Sequence, residues 1–283
     1  MKQFRTLTFT SVVSLLWVIS AQACTDTFAQ CLLGLHVPAF NEVLLKADSK
    51  KNLPTLPEQK FTLLTWNIYK GSGATWEQDL ARLAGQSDMA LIQEAIWSPQ
   101  VKGKLTGPAF EQFSWNFATS FLQKKEHRAT GVMTGAVSAS LRTTFVRSPD
   151  LEPVTETPKM ALFTRYPLAD GRELLVVNVH GINFSPDIFA ALRRQMDLIE
   201  LVISKHGGPA ILAGDFNTWI VERSNIVTEM AQRNGFFEVK VPQDPRSLVL
   251  DHVFVRDLMP MQVRLHSEVQ SSDHYPISVE LRY

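Results

Sequence analysis

The chain has 283 residues, of which 45% are hydrophobic, 10% aromatic and 20% charged, enough apolar surface for a sizeable core and too much for global disorder. Its 28 basic and 28 acidic side chains cancel, so no overall basic field advertises a polyanion and no acidic one advertises a cation buffer. Two cysteines exclude a disulfide scaffold and a thiolate zinc cluster, so a bound metal must be held by oxygen or imidazole.

At the N-terminus, Lys2 and Arg5 precede an apolar run centred on Leu15-Leu16-Trp17-Val18-Ile19, which ends at Ala21-Gln22-Ala23. A basic start, a short apolar stretch and a small-x-small exit are the parts of a secretory signal peptide. The run falls short of the roughly 20 apolar residues that a membrane span needs. Residues 1–23 are therefore expected to direct the chain to the periplasm or the medium, the alternatives being an uncleaved anchor or a buried N-terminal helix. Cleavage after Ala23 makes Cys24 the first mature residue and opens the option of lipid attachment, although Ala21 stands where bacterial lipoprotein signals usually carry leucine. Cleavage after Ala29 discards Cys24. Retained together in an oxidising space, Cys24 and Cys31 can close a small loop.

Residues 24–60 read as an N-terminal arm and linker, because 48–60 are polar and interrupted by Pro54 and Pro57. Strand and helix signals then alternate. Residues 61–66 form a strand candidate, 76–84 place Leu80, Leu83 and Ala84 at helical spacing, and Met89-Ala90-Leu91-Ile92 is a short apolar run typical of a buried strand. Further strands are expected at 131–137, 159–164, 174–179, 210–213, 252–256 and 277–281. A helix capped by Ser185, with Pro186 in its first turn, carries the stripe Ile188, Leu192, Met196, Ile199 and Ile203 and stops at Gly207-Gly208. A second helix over 222–233 ends at Asn234-Gly235. Mixed strands and helices imply one layered α/β or α+β domain over 61–283.

Polar residues collect at the ends of these apolar runs: Asn67, Glu94, His180 with Asn183, Asp215 with Asn217, Asp251, and Asp273 with His274. Loops at strand ends are where a sheet gathers carboxylates, amides and imidazoles from distant sequence into one cleft. Carboxylates suit a hard divalent ion, amides donate to phosphate oxygens, and histidines stabilise or protonate an oxyanion. Hydrolysis of a phosphate ester uses all three. Singly, each station has a plainer reading as a turn or a satisfied structural histidine.

The ordered series Leu64-Thr65-Trp66-Asn67-Ile68-Tyr69-Lys70, Gln93-Glu94, Gly131-Val132-Met133-Thr134, Val177-Asn178-Val179-His180 with Asn183-Phe184, Ala213-Gly214-Asp215-Phe216-Asn217, Asp251-His252 and Ser272-Asp273-His274 resembles the endonuclease/exonuclease/phosphatase superfamily. Deoxyribonuclease I, AP endonucleases, inositol polyphosphate phosphatases and bacterial sphingomyelinases belong to it. The resemblance covers residues 61–283 and looks closest to the bacterial YafD-like branch. It implies a four-layer α/β/β/α sandwich of two mixed sheets and a magnesium or manganese cofactor. It also implies site roles. Glu94 and Asp273 look like the metal-binding carboxylates, with Asn67 orienting Glu94 and touching the scissile phosphate. Asp215 resembles the group that aligns or deprotonates water, Asn217 the amide that stabilises the pentacovalent phosphorus, and His274, paired with Asp251, a donor to a phosphate oxygen. His180 stands at the histidine station of the deoxyribonuclease-like members, without a clear acidic partner in the sequence, and Asn183 has a substrate-contacting and a turn-forming reading.

The signal segment and the resemblance together imply an exported phosphoesterase acting on a phosphate-ester substrate, with DNA or RNA first in line. A sphingomyelinase-like or small-molecule phosphoesterase is the alternative, and a non-catalytic binding module of the same fold the second. A monomer is expected, with no stable protein partner and no membrane contact beyond an N-terminal anchor. Trp97, Phe184 and Trp219 offer either stacking faces or core packing. Lys70 and the cluster Lys124-Lys125-Glu126-His127-Arg128 offer either local positive charge or a solvated loop.

Overall fold

A computed structural model of the chain describes residues 26–283; the expected signal segment and Cys24 lie outside them. The arm carries α1 (Phe28–Leu33), β1 (Leu35–His36) and β2 (Leu44–Ala47). Next come β3 (Lys60–Asn67), α2 (Trp76–Ala84), β4 (Met89–Trp97), α3 (Pro99–Leu105), β5 (Ser114–Gln123) and β6 (Arg128–Ala136). The second half holds β7 (Arg142–Glu152), β8 (Thr157–Pro167), β9 (Glu173–His180), α4 (Ile188–Ile203), β10 (Ala210–Asp215) and α5 (Val221–Arg233). It closes with β11 (Phe237–Glu238), β12 (Asp251–Arg256), β13 (Met259–Leu265) and β14 (Ile277–Arg282).

Strands in the order β1-β5-β6-β4-β3-β14-β13, with β2 also paired to β5, make an eight-stranded sheet, and β11-β12-β10-β9-β8-β7 make a six-stranded one. Both are mixed. β3 and β4 run parallel with α2 between them, and β9 and β10 run parallel with α4 between them. Parallel neighbours need such a crossover, and the crossover covers the sheet's outer face. Leu192, Met196, Ile199 and Ile203 of α4 are fully buried against Val177 and Leu212 of the six-stranded sheet. Each such side chain contributes about 1.5–3 kcal/mol of transfer free energy. Leu80 and Leu83 of α2 and Leu105 of α3 join the core that also contains Leu63, Leu91, Val176 and Ile211. The layers are therefore helix, sheet, sheet, helix, as the resemblance implied.

Several elements differ from the sequence reading. Asp187, not Ser185, caps α4, its carboxylate accepting from Phe189 N at 3.2 Å and Ala190 N at 2.9 Å. The charged carboxylate is the better acceptor at a helix N-terminus. The segment read as a linker is built into the larger sheet. β1 and β2 both pair with β5, Leu53 bridges Ser138, and Leu56 is fully buried. Strands β1, β2, β5, β7, β11 and β13 and the short helices α1 and α3 have no counterpart in the sequence reading.

The gap between the sheets also holds a polar strut. Gln93 Nε2 donates to Asn178 Oδ1 at 2.7 Å, and Asn178 Nδ2 donates to the carbonyls of Met133 at 2.9 Å and Ile92 at 3.2 Å. These buried amides fix the separation and register of the two sheets where strands β4, β6 and β9 meet, because misalignment would leave them unpaired.

At the outer edge of the smaller sheet, His252 Nδ1 of β12 lies 2.7 Å from Glu238 Oε1 of β11, and its Nε2 lies 2.7 Å from the Thr218 hydroxyl. Burial alone would raise the Glu238 pKa, but the His252 hydrogen bond and the Lys240 ammonium outweigh it and lower the value from 4.5 to about 2. A depressed carboxyl pKa contributes stability that is fully present above 4.5 and is lost as pH falls toward about 2. Urea unfolding of Glu238→Gln should therefore show a deficit relative to wild type at neutral pH that shrinks across that acid window. A deficit that stays constant down to the lower limit would contradict the pairing.

Candidate active site

Four side chains that the sequence placed at strand ends occupy the carboxyl ends of the parallel strands. Asn67 is the last residue of β3, His180 of β9 and Asp215 of β10, while Glu94 follows Gln93, the register partner of Asn67, on β4. Asp215 is in register with His180 on one side and with Asp251, the first residue of β12, on the other. One row across the smaller sheet thus reads His180, Asp215, Asp251. Gly214 makes this row possible: at φ 137° it sits where a Cβ would lie 2.1 Å from Val179 O.

Asp215 is buried and held from two sides. Asn67 Nδ2 donates to its Oδ2 at 2.9 Å across the gap between the sheets, and Asn217 N donates to its Oδ1 at 2.9 Å. The resemblance implied that Asn67 orients Glu94; its amide turns to Asp215 instead, and its Oδ1 accepts from Tyr69 N at 3.0 Å. Burial, and then the negative charge of Asp251, push the Asp215 pKa up to about 6, with His274 and the two hydrogen bonds acting the other way.

The two histidines flank Asp215 Oδ2, His180 Nε2 at 3.6 Å and His274 Nε2 at 3.9 Å, yet they are in different states. Burial opposes charge on His274, but Asp251, which accepts from Nδ1 at 2.9 Å, dominates with Asp215 and Asp273 and raises its pKa to about 10. His274 is an imidazolium with Nε2 left to donate. Burial, followed by the charges of Lys159 and Lys70, holds His180 well below the usual imidazole range. Lys159 Nζ lies 3.3 Å from His180 Nε2, and Glu94 Oε1 4.0 Å away. No carboxylate reaches His180 at hydrogen-bond distance among the described residues, so this neutral ring lacks the partner that would make it a strong leaving-group acid.

Glu94 owes its aim to a bulge. The β4–β6 register shifts between Ile92 and Ala95, and Glu94 takes φ 46°, which turns its side chain toward the strand ends. Lys70 Nζ lies 2.9 Å from Glu94 Oε2, a buried oxygen that receives no aligned hydrogen bond. Asp273 is exposed, its Oδ1 lying 3.3 Å from Ser272 Oγ. Its loop is pinned over β3, since Ser272 Oγ donates to Asn67 O at 2.6 Å and Trp66 Nε1 to His274 O at 3.0 Å. The described residues gather donor atoms of Asp215, Asp251 and His274 within 4.8 Å of one another, a set that leaves out Glu94 and Asp273. The Asp251–His274 ion pair already compensates that set internally.

Asn183 is engaged outside the row: its Oδ1 accepts from Trp219 Nε1 at 3.0 Å and its backbone N–H donates to Glu152 at 2.7 Å. Trp97 packs on the core against Phe117, whereas Phe184 is exposed. The basic cluster forms the β5–β6 turn, where Lys124 pairs with Asp26 at 2.9 Å. Sequence reasoning missed Arg223, which is fully buried. Its Nε donates to Asn217 O at 2.7 Å, Nη1 to Ile188 O at 2.6 Å and Nη2 to Ile182 O. It ties together the two loops that carry Asn217 and Asn183, and keeps Asn217 at φ 53° with Nδ2 donating to Gly181 O at 3.0 Å. Nothing in a helical arginine announces such a role, because most lie in solvent.

Comparison with known proteins agrees with this arrangement. Residues 64–274 match the Endonuclease/Exonuclease/phosphatase family. A UPF0294 protein of Vibrio vulnificus is 34% identical over 247 residues, 85% of this chain and 84% of its own length. One from Yersinia pestis is 34% identical over 244 residues, 81% of this chain and 86% of its own. Among solved structures, an endonuclease/exonuclease/phosphatase from Beutenbergia cavernae superposes with a TM-score of 0.58 at 14% identity, covering 80% of this chain and 72% of that one. ANGEL2, described as a 2',3'-cyclic phosphatase, superposes with a TM-score of 0.60 at 12% identity, covering 85% and 98%. Two mixed sheets with an acidic, amide- and histidine-lined row at their strand ends, together with these matches, place the chain in the endonuclease/exonuclease/phosphatase family of phosphoester hydrolases, alongside its UPF0294 relatives.

Proposed function

We propose that this chain is an exported, divalent-metal-dependent phosphodiesterase that hydrolyses nucleic-acid phosphodiester bonds by direct attack of water. The observation that carries the reading is the buried Asp215 carboxylate, held by Asn67 and Asn217 with an imidazolium on one side and a neutral imidazole on the other. A carboxylate with a raised pKa is a competent base for water near neutrality, and its fixed orientation aims the nucleophile. His274 Nε2, with Nδ1 committed to Asp251, donates to a non-bridging phosphate oxygen. The second N–H of Asn217 Nδ2 is available for another oxygen as charge develops on the phosphoryl group.

Glu94, Asp273 and Asn67 are the residues that would hold magnesium or manganese. Carboxylate and amide oxygens suit a hard cation, which would displace the Lys70 ammonium from Glu94 Oε2 and compete with Tyr69 N for Asn67 Oδ1. Bound there, such an ion supplies charge neutralisation at the phosphate and stabilises the leaving oxygen. A neutral overall charge is compatible with a nucleic-acid substrate only if binding rests on local contacts at the cleft, which predicts weak nonspecific affinity at physiological salt.

A panel of plasmid DNA, abasic duplex, RNA, sphingomyelin and inositol phosphates, assayed with magnesium, manganese or EDTA, tests this reading. Metal-dependent cleavage of nucleic acid that falls by about a hundredfold or more in both Asp215→Asn and His274→Ala is expected. Intact DNA and RNA beside cleaved sphingomyelin would overturn the substrate assignment, and the absence of turnover on every substrate would favour a binding module. The export assignment predicts a periplasmic or secreted protein beginning at Cys24 or Gln30; a full-length cytoplasmic chain would contradict it.

A further inference from the structure

Next to the hydrolytic row the gap between the sheets opens into a small cleft lined by Lys70, Glu94, Thr130, Lys159 and His180, with Phe121, Val132 and Met160 among its apolar walls. Two cations face it. The side chain of Lys159 is only 17% exposed, and its closest polar contact is the His180 ring nitrogen at 3.3 Å. The one carboxylate within 4.0 Å of Lys159 among the described residues is Glu152, at 3.8 Å, and that oxygen already accepts from Asn183 N at 2.7 Å. A half-buried ammonium thus lacks an anion at hydrogen-bond distance, an arrangement that costs desolvation without full electrostatic return. Lys70 stands on the opposite wall beside Glu94.

A third group is unsatisfied in the same place. Thr130 is 4% exposed, and its hydroxyl has no hydrogen-bond partner among the described residues. By strand alternation it shares the sheet-facing side of β6 with Val132 and Thr134, so it lies toward the gap and not toward solvent. Buried hydroxyls are normally paired, and an orphan in a cleft that Lys159 also lines points to an acceptor that is brought by a ligand. The lysine ammonium groups and the Thr130 hydroxyl are donors that match a tetrahedral oxyanion.

We propose that this cleft is a second anion subsite, which receives a phosphate group attached next to the scissile phosphate on the same substrate. The inference rests on the phosphodiesterase reading and deepens it. The next diester along a polynucleotide and a terminal phosphomonoester both present the required group. Lys159 and Thr130 bind it, while Lys70 lines the same cleft paired with Glu94 at 2.9 Å.

Three nitrophenyl phosphodiesters of one nucleoside test this, differing only in whether the remaining sugar hydroxyl is free, phosphorylated or carries a methyl phosphate. For wild-type protein the phosphate-bearing substrates should have kcat/KM higher by about tenfold or more, through KM, as expected for a gained charge-assisted contact. The ratio should collapse toward unity in Lys159→Met and fall in Thr130→Val. A gain for both derivatives identifies the continuing diester as sufficient, and a gain for the monoester alone identifies a terminal phosphate. Equal kcat/KM for all three substrates, or a preference that survives Lys159→Met, overturns the subsite and leaves the phosphodiesterase reading standing. Should none of the three be hydrolysed, that reading fails, and calorimetric titration of metal-free protein with inorganic pyrophosphate decides the subsite. Binding weakened about tenfold in Lys159→Met supports it; no binding, or equal binding, overturns it.

Discussion

The hydrogen bond from Asn67 Nδ2 to Asp215 Oδ2, 2.9 Å long, joins the last residue of β3 in one sheet to the last residue of β10 in the other. Each sheet alone carries half of a site. The larger contributes Asn67 and Glu94, with Asp273 and His274 in the loop leading into β14; the smaller contributes His180, Asp215 and Asp251. A buried carboxylate is costly unless donors offset its desolvation, so Asp215 draws the sheets together at the point where their chemistry must meet. The Gln93–Asn178 strut deeper in the gap sets the same separation with neutral groups. Fold and site are therefore specified by overlapping contacts.

Charge is distributed on the same logic. The chain is neutral as a whole, yet within the row an imidazolium, a neutral imidazole and a carboxylate of raised pKa stand side by side. Their different states follow from neighbours: Asp251 charges His274, while burial and the two lysines keep His180 neutral. Because His274 Nδ1 is occupied by Asp251, Nε2 is directed toward Asp215 at 3.9 Å, and the ring is both oriented and charged by one contact. Lys159 and Lys70 extend positive charge along the cleft to one side of this row, which gives the neutral chain a local field where an anionic substrate would lie.

Much of this was legible in sequence because strand ends announce themselves. Asn67, His180 and Asp215 each follow a largely apolar run, broken only by Thr62 and Thr65 before Asn67 and by Asn178 before His180, and the helical segments are punctuated at Gly207-Gly208 and Asn234-Gly235. What was missed has physical causes. β5 is buried on both faces while mixing Trp115 and Phe117 with Asn116, Thr119 and Ser120, so it shows no period. β7 and β13 are edge strands whose exposed faces dilute the signal, and β13 also carries Pro260 at a register shift. The partner of Asn67, the burial of Arg223 and the approach of Lys159 to His180 are tertiary facts, set by how two sheets stack, and no local pattern encodes them.

We propose that water, aligned by Asp215, attacks phosphorus directly and that no residue of the chain becomes covalently linked to the phosphoryl group. The stereochemical course of hydrolysis tests this most directly. A chiral phosphorothioate diester, cleaved in isotopically labelled water, should yield product with inverted configuration at phosphorus and the label on the phosphoryl group. Retention of configuration, which requires an intermediate on the protein, would contradict the account.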